Sequence, residues 1–523
     1  MPRCENRLLR SNERMDLTRI THPCARKTAT HRAFAIGKGL YIIGVIWICL
    51  AGLVGCQKDE DYLCLNGTDE VALVFSTDTL AFDTVFCTMG STTRQVRVIN
   101  CHDQPVHLTS VTLREGRQSR FRINVDGDTA MVARDITIAA GDRIFIFVQP
   151  NIKPNDRTTP FVVEDAILFE IEGCSRQRLP LSAWGRNAVY HVPNKVLQTR
   201  GDDGKLQTPT DRYGNPYRYS VIDCDNWNHE LPHVVIGYAV IDEGMHLRLE
   251  PGDELYFGND AVLWVYNGGQ LTAKGSESQP VLFTSIRHDG WYHTLPGQWG
   301  HIWLGGISGE AYPTSLPCTM DYVKIENGYY GVIVDSCDNQ SPTLTINHST
   351  IEHIKVAGIM SQDGWISSYR LLIADCGGAT IYVPFGGRYS FDYLTSANYW
   401  NYDYRKTPSV IISNSYDYGD GVIERPVYQA DFTNSIIYGD YKDCEVLLTA
   451  ADSVGFYAMF DHCMIKGGAW DIDPQFANIA NGDYHINAHS RELQKIGYYA
   501  LRHPHRPPTN AQRDSMPTTQ FNY

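Results

Sequence analysis

Metal-binding patterns are absent from this sequence. None of its 14 cysteines belongs to a Cys-x-x-Cys pair or stands at zinc-finger spacing from a histidine. We therefore predict no metal, and no pattern points to another cofactor. Basic residues are also scarce, because 45 Lys and Arg are outnumbered by 59 Asp and Glu, a formal net charge of −14. A chain this acidic is unsuited to nucleic-acid binding, which requires clustered cations facing phosphates.

One apolar run has the length of a secretion signal, namely the 17 residues 39–55, which follow Lys38. A basic segment, an apolar run and a small residue before the cut site are typical of a signal sequence. The motif LVGC at residues 53–56 resembles the lipobox of bacterial lipoproteins. This resemblance implies that residues 1–55 are the signal sequence and that Cys56 carries the lipid that attaches the protein to a membrane. The alternative is a single spanning helix, although 17 residues is at the lower limit for crossing a bilayer.

An acidic tether is predicted over residues 56–68. Its beginning, QKDED at residues 57–61, resembles the export tag of surface lipoproteins of the Bacteroidetes. That resemblance implies an outer-membrane protein exposed at the cell surface, and the alternative is an ordinary acidic tether. The leader in front of the apolar run is long, so Met15 is a second candidate for the translation start.

The first folded domain is predicted over residues 69–188. Short runs of alternating apolar and polar residues are separated there by Gly, Asn and Asp, which favours an antiparallel β-sandwich. The stretches FDTVF, RVIN and GDRIFIFVQP resemble the immunoglobulin-like domains found near the anchor of bacterial surface lipoproteins. We find no nucleophile, base or metal cluster in them, so the resemblance implies a spacer or docking module. Residues 189–230, rich in turn formers, are expected to be a connector.

Residues 231–497 carry the strongest fold signal. Short β runs recur every few residues with no helical segment between them, which excludes βαβ units. A coarser repeat aligns Ile325, Ile351 and Ile373, which are 26 and 22 residues apart. With the stretch PGQWGHIWL, these repeats resemble the pectate-lyase-like family, which implies a right-handed parallel β-helix and an all-β chain. The Pro-rich tail, residues 498–523, is predicted to be disordered.

Catalytic residues cannot be assigned from these coils. Many proteins of the pectate-lyase-like family cleave acidic polysaccharides, but the Asn-Thr-Asp, Gly-His-Gly and Arg-Ile-Lys motifs of polygalacturonases do not occur here. The acids Asp335, Asp363, Asp375 and Asp392 share no repeat phase with one another or with nearby cations. Scattered charges on a repeat protein are usually solvated surface.

An aromatic segment at residues 388–405 is the better candidate site. It places seven rings between two arginines, and flat rings beside charged groups suit stacking on sugars. We predict that it leaves the coil as a loop and binds a polysaccharide. The candidate glycan-binding residues are Tyr399, Trp400, Tyr402, Arg405 and Arg388. The alternative is that rings such as Phe391 and Tyr393 fill the coil interior.

The preferred functional prediction is a non-catalytic cell-surface lipoprotein that binds glycans or acts as an adhesin. One alternative is a polysaccharide lyase or glycoside hydrolase of the same fold with an unfamiliar site. Another is a structural or assembly partner with no soluble ligand.

Overall fold

A computed structural model describes residues 73–90, 92–173, 176–200, 205–211, 213–287, 290–305, 315–336, 340–419, 421–468, 471–486 and 518–520. The signal sequence, Cys56 and the acidic tether lie outside these residues. Within them, the predicted all-β class is confirmed, because the helical segments are only short 3-10 turns at Gly116–Gln118, Gly290–His293 and Ile479–Asn481. No helix of the described residues has the length and apolar character needed to cross a membrane.

The described residues divide into two compact units, the first of which lies within residues 73–153 and 162–184. Its described part contains two sheets with antiparallel pairing. The four-stranded sheet has the order Val74–Phe75, Arg94–Ile99, Arg143–Pro150 and Phe121–Val125. The five-stranded sheet has the order Leu80–Phe86, Gln177–Arg186, Phe161–Ile171, Val106–Leu113 and Val132–Ile138. The rings of Phe75 and Phe169, one from each sheet, lie 5.0 Å apart, so the sheets pack face to face.

The second unit, whose described residues lie within 154–161, 185–486 and 518–520, is built from coils with three faces. Face 1 is a ten-stranded sheet that is parallel from its second strand onwards. Its strands are Lys195–Val196, Arg218–Val221, Tyr238–Ile241, Val262–Val265, Ile302–Leu304, Tyr330–Asp335, Ala357–Gln362, Ala379–Phe385, Val410–Ser413 and Val446–Thr449.

Faces 2 and 3 are joined in one sixteen-stranded sheet. Face 2 contains His246–Leu249, Gln270–Lys274, Cys318–Asp321, Val427–Thr433, Met459–Asp461 and Thr518–Gln520. Face 3 contains Val189–His191, His233–Val235, Glu254–Phe257, Val281–Ser285, Val323–Glu326, Ile436–Gly439 and Met464–Ile465. Three long strands contribute to both faces, and they are Leu344–Ile354, Trp365–Cys376 and Gly387–Asn398. Large parallel sheets of this kind are consistent with a parallel β-helix.

A single residue in the left-handed conformation turns the chain from face 2 to face 3 in six consecutive coils. The φ angles at these positions lie between 47° and 57°. The residues are Tyr322, His348, Arg370, Tyr393, Asn434 and His462. L-residues adopt this conformation only at an energetic cost, so the coil packing must hold the corner in place. The corner allows one strand of eleven or twelve residues to belong to two faces.

The interior of the second unit stacks equivalent residues from coil to coil. Ile325 pairs with Ile351, and Ile351 pairs with Ile373, which confirms the alignment predicted from the sequence. Phenylalanines stack in the same way on face 2. The rings of Phe391 and Phe432 are 5.1 Å apart, and those of Phe432 and Phe460 are 4.8 Å apart.

The ends of the coil region differ from the expected organisation. Residues 189–230 were expected to be a connector, but Val189–His191 and Arg218–Val221 pair in parallel with the coil strands that follow. At the other end, a hairpin of Phe476–Asn478 and Asp483–Ile486 covers the outside of face 3. Within the tail predicted to be disordered, Thr518–Gln520 pairs antiparallel with face 2. Two further hairpins are Thr199–Arg200 with Leu206–Gln207, and Ser415–Asp417 with Val422–Glu424.

Candidate functional site

The aromatic segment is only partly a loop. The predicted loop of residues 388–405 is wrong for its first part, because Gly387–Asn398 is a strand that contributes to faces 2 and 3. The rings of Tyr389, Phe391 and Tyr393 are buried there, and those of Tyr389 and Phe391 lie in the coil interior, so the core-packing alternative is correct for these two. The chain leaves the sheet only after Asn398 and returns to face 1 at Val410. Any open aromatic surface must therefore come from residues 399–409.

Trp400 is held close to the coil instead of projecting from it. Its side chain is 6% exposed, which corrects the expectation that it is an open stacking surface. Gly377 permits the approach, because a Cβ atom at that position would lie 2.9 Å from the indole ring. Beside it, the hydroxyl of Tyr402 donates a 2.7 Å hydrogen bond to the carbonyl oxygen of Thr294. These contacts fix the base of the loop.

Arg405 is an internal support of the loop. Its Nε donates to Asp440 Oδ1 at 2.8 Å, and its Nη1 donates to Glu445 Oε2 at 2.8 Å. The same side chain also donates to the Thr407 carbonyl oxygen and to Ser409 Oγ. The Arg405 side chain is 1% exposed and that of Glu445 is fully buried. The expectation that Arg405 is the charge partner of a ligand is therefore corrected, because its donors are already used within the protein.

A depression of about 850 Å³ opens over this loop. Its lining consists of Trp400, Asn401, Tyr402, Asp403, Tyr404, Arg405, Lys406, Asp440, Tyr441 and Lys442. Tyr404 is 90% exposed, so its ring is the accessible aromatic surface of the depression. Three of the predicted site residues, Trp400, Tyr402 and Arg405, contribute to its wall. Tyr399 is absent from this lining, and its ring stacks 6.3 Å from that of Tyr484.

Arg388 lies at the opposite end of the strand Gly387–Asn398 from this loop. Its guanidinium group is 5.4 Å from the ring centre of Trp365 and 4.8 Å from that of Tyr428. The structure thus brings Trp400, Tyr402 and Arg405 together and places Arg388 in a separate environment on face 2.

A cluster of titratable groups lies on the outside of face 3, where sequence reasoning found none. Lys324 Nζ is 2.5 Å from Glu326 Oε1 and 2.9 Å from Glu352 Oε1. Burial raises the pKa of Glu326 to about 7. Burial also acts on Glu352, but Lys324 and hydrogen bonding outweigh it and lower the pKa of that carboxyl. Burial therefore favours the protonated form of Glu326, and Lys324 favours the ionised form of Glu352.

The alignment of the coils contained a signal for this pair. Each glutamate directly follows one of the aligned isoleucines, Ile325 and Ile351, so that the two carboxyl groups occupy the same outward position of neighbouring coils. Extending the alignment from the inward isoleucines to the outward residues that follow them would have revealed the glutamate pair.

Asp375 extends the cluster by one coil. The Tyr484 hydroxyl donates a 2.7 Å hydrogen bond to Asp375 Oδ1, and His353 Nδ1 lies 3.8 Å from Asp375 Oδ2. Burial raises the pKa of Asp375 to about 7 and lowers that of His353. In the described part of the chain, no group of three or more His, Cys, Asp or Glu side chains is arranged to hold a metal ion.

Comparison with known proteins gives no family assignment. No protein-family model matches the sequence, and no curated protein matches it. Among solved structures, the chaperone DraB of E. coli is 10% identical to this chain, with a TM-score of 0.16. That match covers 22% of this chain and 55% of DraB. A chain of the CsuC–CsuE chaperone–tip adhesion subunit complex of Acinetobacter baumannii is 12% identical, with a TM-score of 0.16. That match covers 22% of this chain and 53% of the other. This chain thus spans about half the length of these two structures.

The catalytic domain of a family 87 α-1,3-glucanase, in complex with tetrasaccharides, is 10% identical with a TM-score of 0.20. The match covers 71% of this chain and 80% of that one. TM-scores this low support no argument about fold or function. The structure itself shows an all-β chain with large parallel sheets, consistent with a parallel β-helix.

Proposed function

We propose that this protein is an outer-membrane lipoprotein, lipidated at Cys56 and exposed at the cell surface, that binds glycans without cleaving them. In this proposal the second unit is a right-handed parallel β-helix that serves as a rigid platform. The first unit is an immunoglobulin-like spacer near the anchor. Support for the anchor comes from the motif at residues 53–56, and support for the platform comes from the parallel sheets of the second unit.

The observation that carries the glycan-binding proposal is the depression over residues 400–406. Its base is rigid because Arg405, Glu445 and Tyr402 are held by internal hydrogen bonds. Its rim presents the exposed ring of Tyr404 for stacking on a sugar. Polar groups for sugar hydroxyls surround that ring, and these are Asn401, Asp403, Lys406 and Lys442. A concave site with one stacking surface and several hydrogen-bonding groups is typical of carbohydrate recognition.

The test compares Tyr404→Ala with Tyr213→Ala, a control that removes a ring of similar exposure at 74%. The protein and both variants are run through gels containing neutral or uronate-rich polysaccharides. We expect at least one polysaccharide to retard the parent protein. Loss of the Tyr404 ring should weaken that retardation about five-fold, as expected for one stacking contact. Retardation equal in the parent protein and in Tyr404→Ala would contradict the proposed site, as would the absence of retardation by any polysaccharide.

A polysaccharide hydrolase or lyase is the second candidate function. The observation that favours it is the carboxyl pair of Glu326 and Glu352, in which burial raises the pKa of Glu326 while Lys324 lowers that of Glu352, because acid–base catalysis uses one group that holds a proton and one that accepts it. The same incubations are read for new reducing ends and for the ultraviolet absorbance of unsaturated products. Products that form with the parent protein and disappear with Glu326→Gln would replace the binding proposal by this one.

A further inference from the structure

The outer face of the four-stranded sheet in the first unit places cations beside aromatic rings. Buried and accessible residues alternate along Arg143–Pro150, so that Phe145 and Phe147 point away from the interior. Arg97 pairs in register with Phe145 from the strand on one side. From the strand on the other side, the register places Arg122 diagonal to Phe147. The two arginines therefore flank the two rings.

The apolar side chains of this face are contiguous. Val74 pairs with Ile99, and Ile99 lies diagonal to Phe145, which precedes Phe147 on the same side of its strand. Val74 is 43% exposed and Phe147 is 40% exposed. A contiguous group of exposed apolar side chains with polar neighbours is typical of a surface that binds a partner.

The arginines of this face have no anionic partner in the part of the chain that the structure describes. Arg97, Arg122 and Arg143 are exposed, and no carboxylate lies within ion-pair distance of their guanidinium groups. The four strands of the sheet contain no Asp or Glu. Aspartates occur in the segments that border the strands, and these are Asp78, Asp126, Asp128 and Asp142. The centre of the face is thus cationic and apolar, although the whole chain is acidic.

We infer that the outer face of the four-stranded sheet binds the anionic headgroup surface of a lipid bilayer. A guanidinium group matches a phosphate through two parallel hydrogen bonds, and cations near an anionic leaflet are attracted to it. Aromatic rings are favoured at the level of the headgroups, where Phe147 would lie between Arg97 and Arg122. Because salt screens charges over about 8 Å, the acidic groups elsewhere in the chain oppose this contact only weakly.

This inference rests on the proposed lipid anchor, which holds the first unit at a membrane. Residues 57–72 separate Cys56 from Leu73, the first described residue. Even a fully extended chain of that length keeps the unit within about 60 Å of the bilayer. The strand Val74–Phe75, which follows directly, belongs to the same sheet. Tethering raises the effective concentration of the lipid surface, so that contacts too weak to hold a free protein suffice here.

The experiment replaces the lipid anchor with a chemical tether. The chain from residue 57 onward, which contains every described residue, is attached through an N-terminal histidine tag to vesicles that contain nickel-chelating lipid. The remaining lipid is either phosphatidylglycerol or phosphatidylcholine, and hydroxyl-radical footprinting measures oxidation of Phe147. We expect phosphatidylglycerol to lower this oxidation about three-fold or more, and about 0.5 M salt to remove the protection. Trp184, which is 50% exposed on the five-stranded sheet, is the internal control and should be oxidised equally on both kinds of vesicle.

Paired substitutions test the role of the arginines. Arg97→Gln combined with Arg122→Gln should abolish the protection of Phe147, because the charge-assisted bonds to phosphate are lost. Arg134→Gln combined with Arg178→Gln is the matched control, since it removes two exposed arginines from the five-stranded sheet and changes the net charge equally. This control should keep the protection. Melting temperatures measured in solution establish that each variant is folded.

Two results would overturn the inference. One is equal oxidation of Phe147 on both kinds of vesicle, which would leave an acidic protein as the partner that the face fits. The other is protection that the two pairs of substitutions change to the same extent, because the effect would then follow net charge instead of this face. Lipidation of Cys56 is tested separately by fatty-acid labelling, so a failed anchor and a failed membrane contact give different results.

Discussion

At the scale of single residues, Arg405 and Glu445 form a buried ion pair at the base of the loop of residues 399–409. The two side chains are 40 residues apart in the chain and are almost fully buried together. Glu445 also accepts hydrogen bonds from the backbone nitrogens of Ser409 and Tyr441. A buried charge is tolerated only when it is paired and its remaining lone pairs are satisfied. The pair therefore determines the shape of the loop above it.

We predict that Arg405→Met lowers the free energy of unfolding by about 3–5 kcal/mol, because Glu445 is left buried without its partner. Chemical denaturation monitored by circular dichroism measures the change. Lys442→Met is the control, since Lys442 and Asp443 form an ion pair in which both side chains are exposed, and its loss should cost less than about 1 kcal/mol. Adding Glu445→Gln to Arg405→Met should recover part of the loss. If Arg405→Met costs no more than the control, the internal role of the pair is refuted.

At the scale of elements, the hairpin of Phe476–Asn478 and Asp483–Ile486 contacts a buried carboxyl group, that of Asp375. It covers apolar residues on the outside of face 3 and is attached to Asp375 through the Tyr484 hydroxyl. Burial raises the pKa of Asp375 from an ordinary value near 4 to about 7. The folded protein thus binds this proton more tightly than the unfolded chain does.

We predict that the contribution of Asp375 to the stability of the folded protein falls as the pH rises from about 4 to about 7. The unfolded chain releases the Asp375 proton near pH 4 and the folded chain near pH 7, so the stabilisation is complete below the first value and is lost through the second. Chemical denaturation of the parent protein and of Asp375→Asn between pH 4 and pH 8 measures the change. The stability of Asp375→Asn should fall less steeply with rising pH than that of the parent protein. Asp452→Asn, at an exposed carboxyl group, is the control and should behave like the parent protein. An equal pH dependence in the parent protein and in Asp375→Asn would disprove the role of Asp375.

At the scale of the whole molecule, the proposed anchor and the folded units have to be tested separately. The anchor depends on the motif at residues 53–56, which lies outside the described residues. A test of localisation therefore has to act on the motif alone.

We predict that Cys56→Ser abolishes incorporation of a radioactive fatty acid and releases the protein from the membrane fraction. The reason is that only the Cys56 sulfur can receive the lipid in the proposed motif, and lipid chains supply the apolar area that holds a protein at a bilayer. Labelled cells are fractionated, and the protein is detected with an antibody. Cys64→Ser is the matched control and should keep its label. Label retained in Cys56→Ser would rule out lipidation at this residue.

The sequence by itself determined the elements and the repeat. Alternation of apolar residues and frequent turn formers are local properties, and a parallel coil repeats the same interior position in each turn, so Ile325, Ile351 and Ile373 could be aligned without coordinates. The aromatic character of residues 388–405 was also visible. Which of those rings is accessible was not, because the left-handed corner at Tyr393 joins two runs into one strand and buries the rings along it.

Only the tertiary structure decided which charges meet. Arg405 pairs with Glu445 from the next coil, Lys324 bridges Glu326 and Glu352, and Arg388 lies between Trp365 and Tyr428. Such contacts depend on register between coils and on loops that cross from one face to another. A sequence pattern specifies which side of a strand a residue occupies. It does not specify which distant residue lies beside that side chain on the next coil. That neighbour determines whether a charged side chain is paired and buried or remains unpaired.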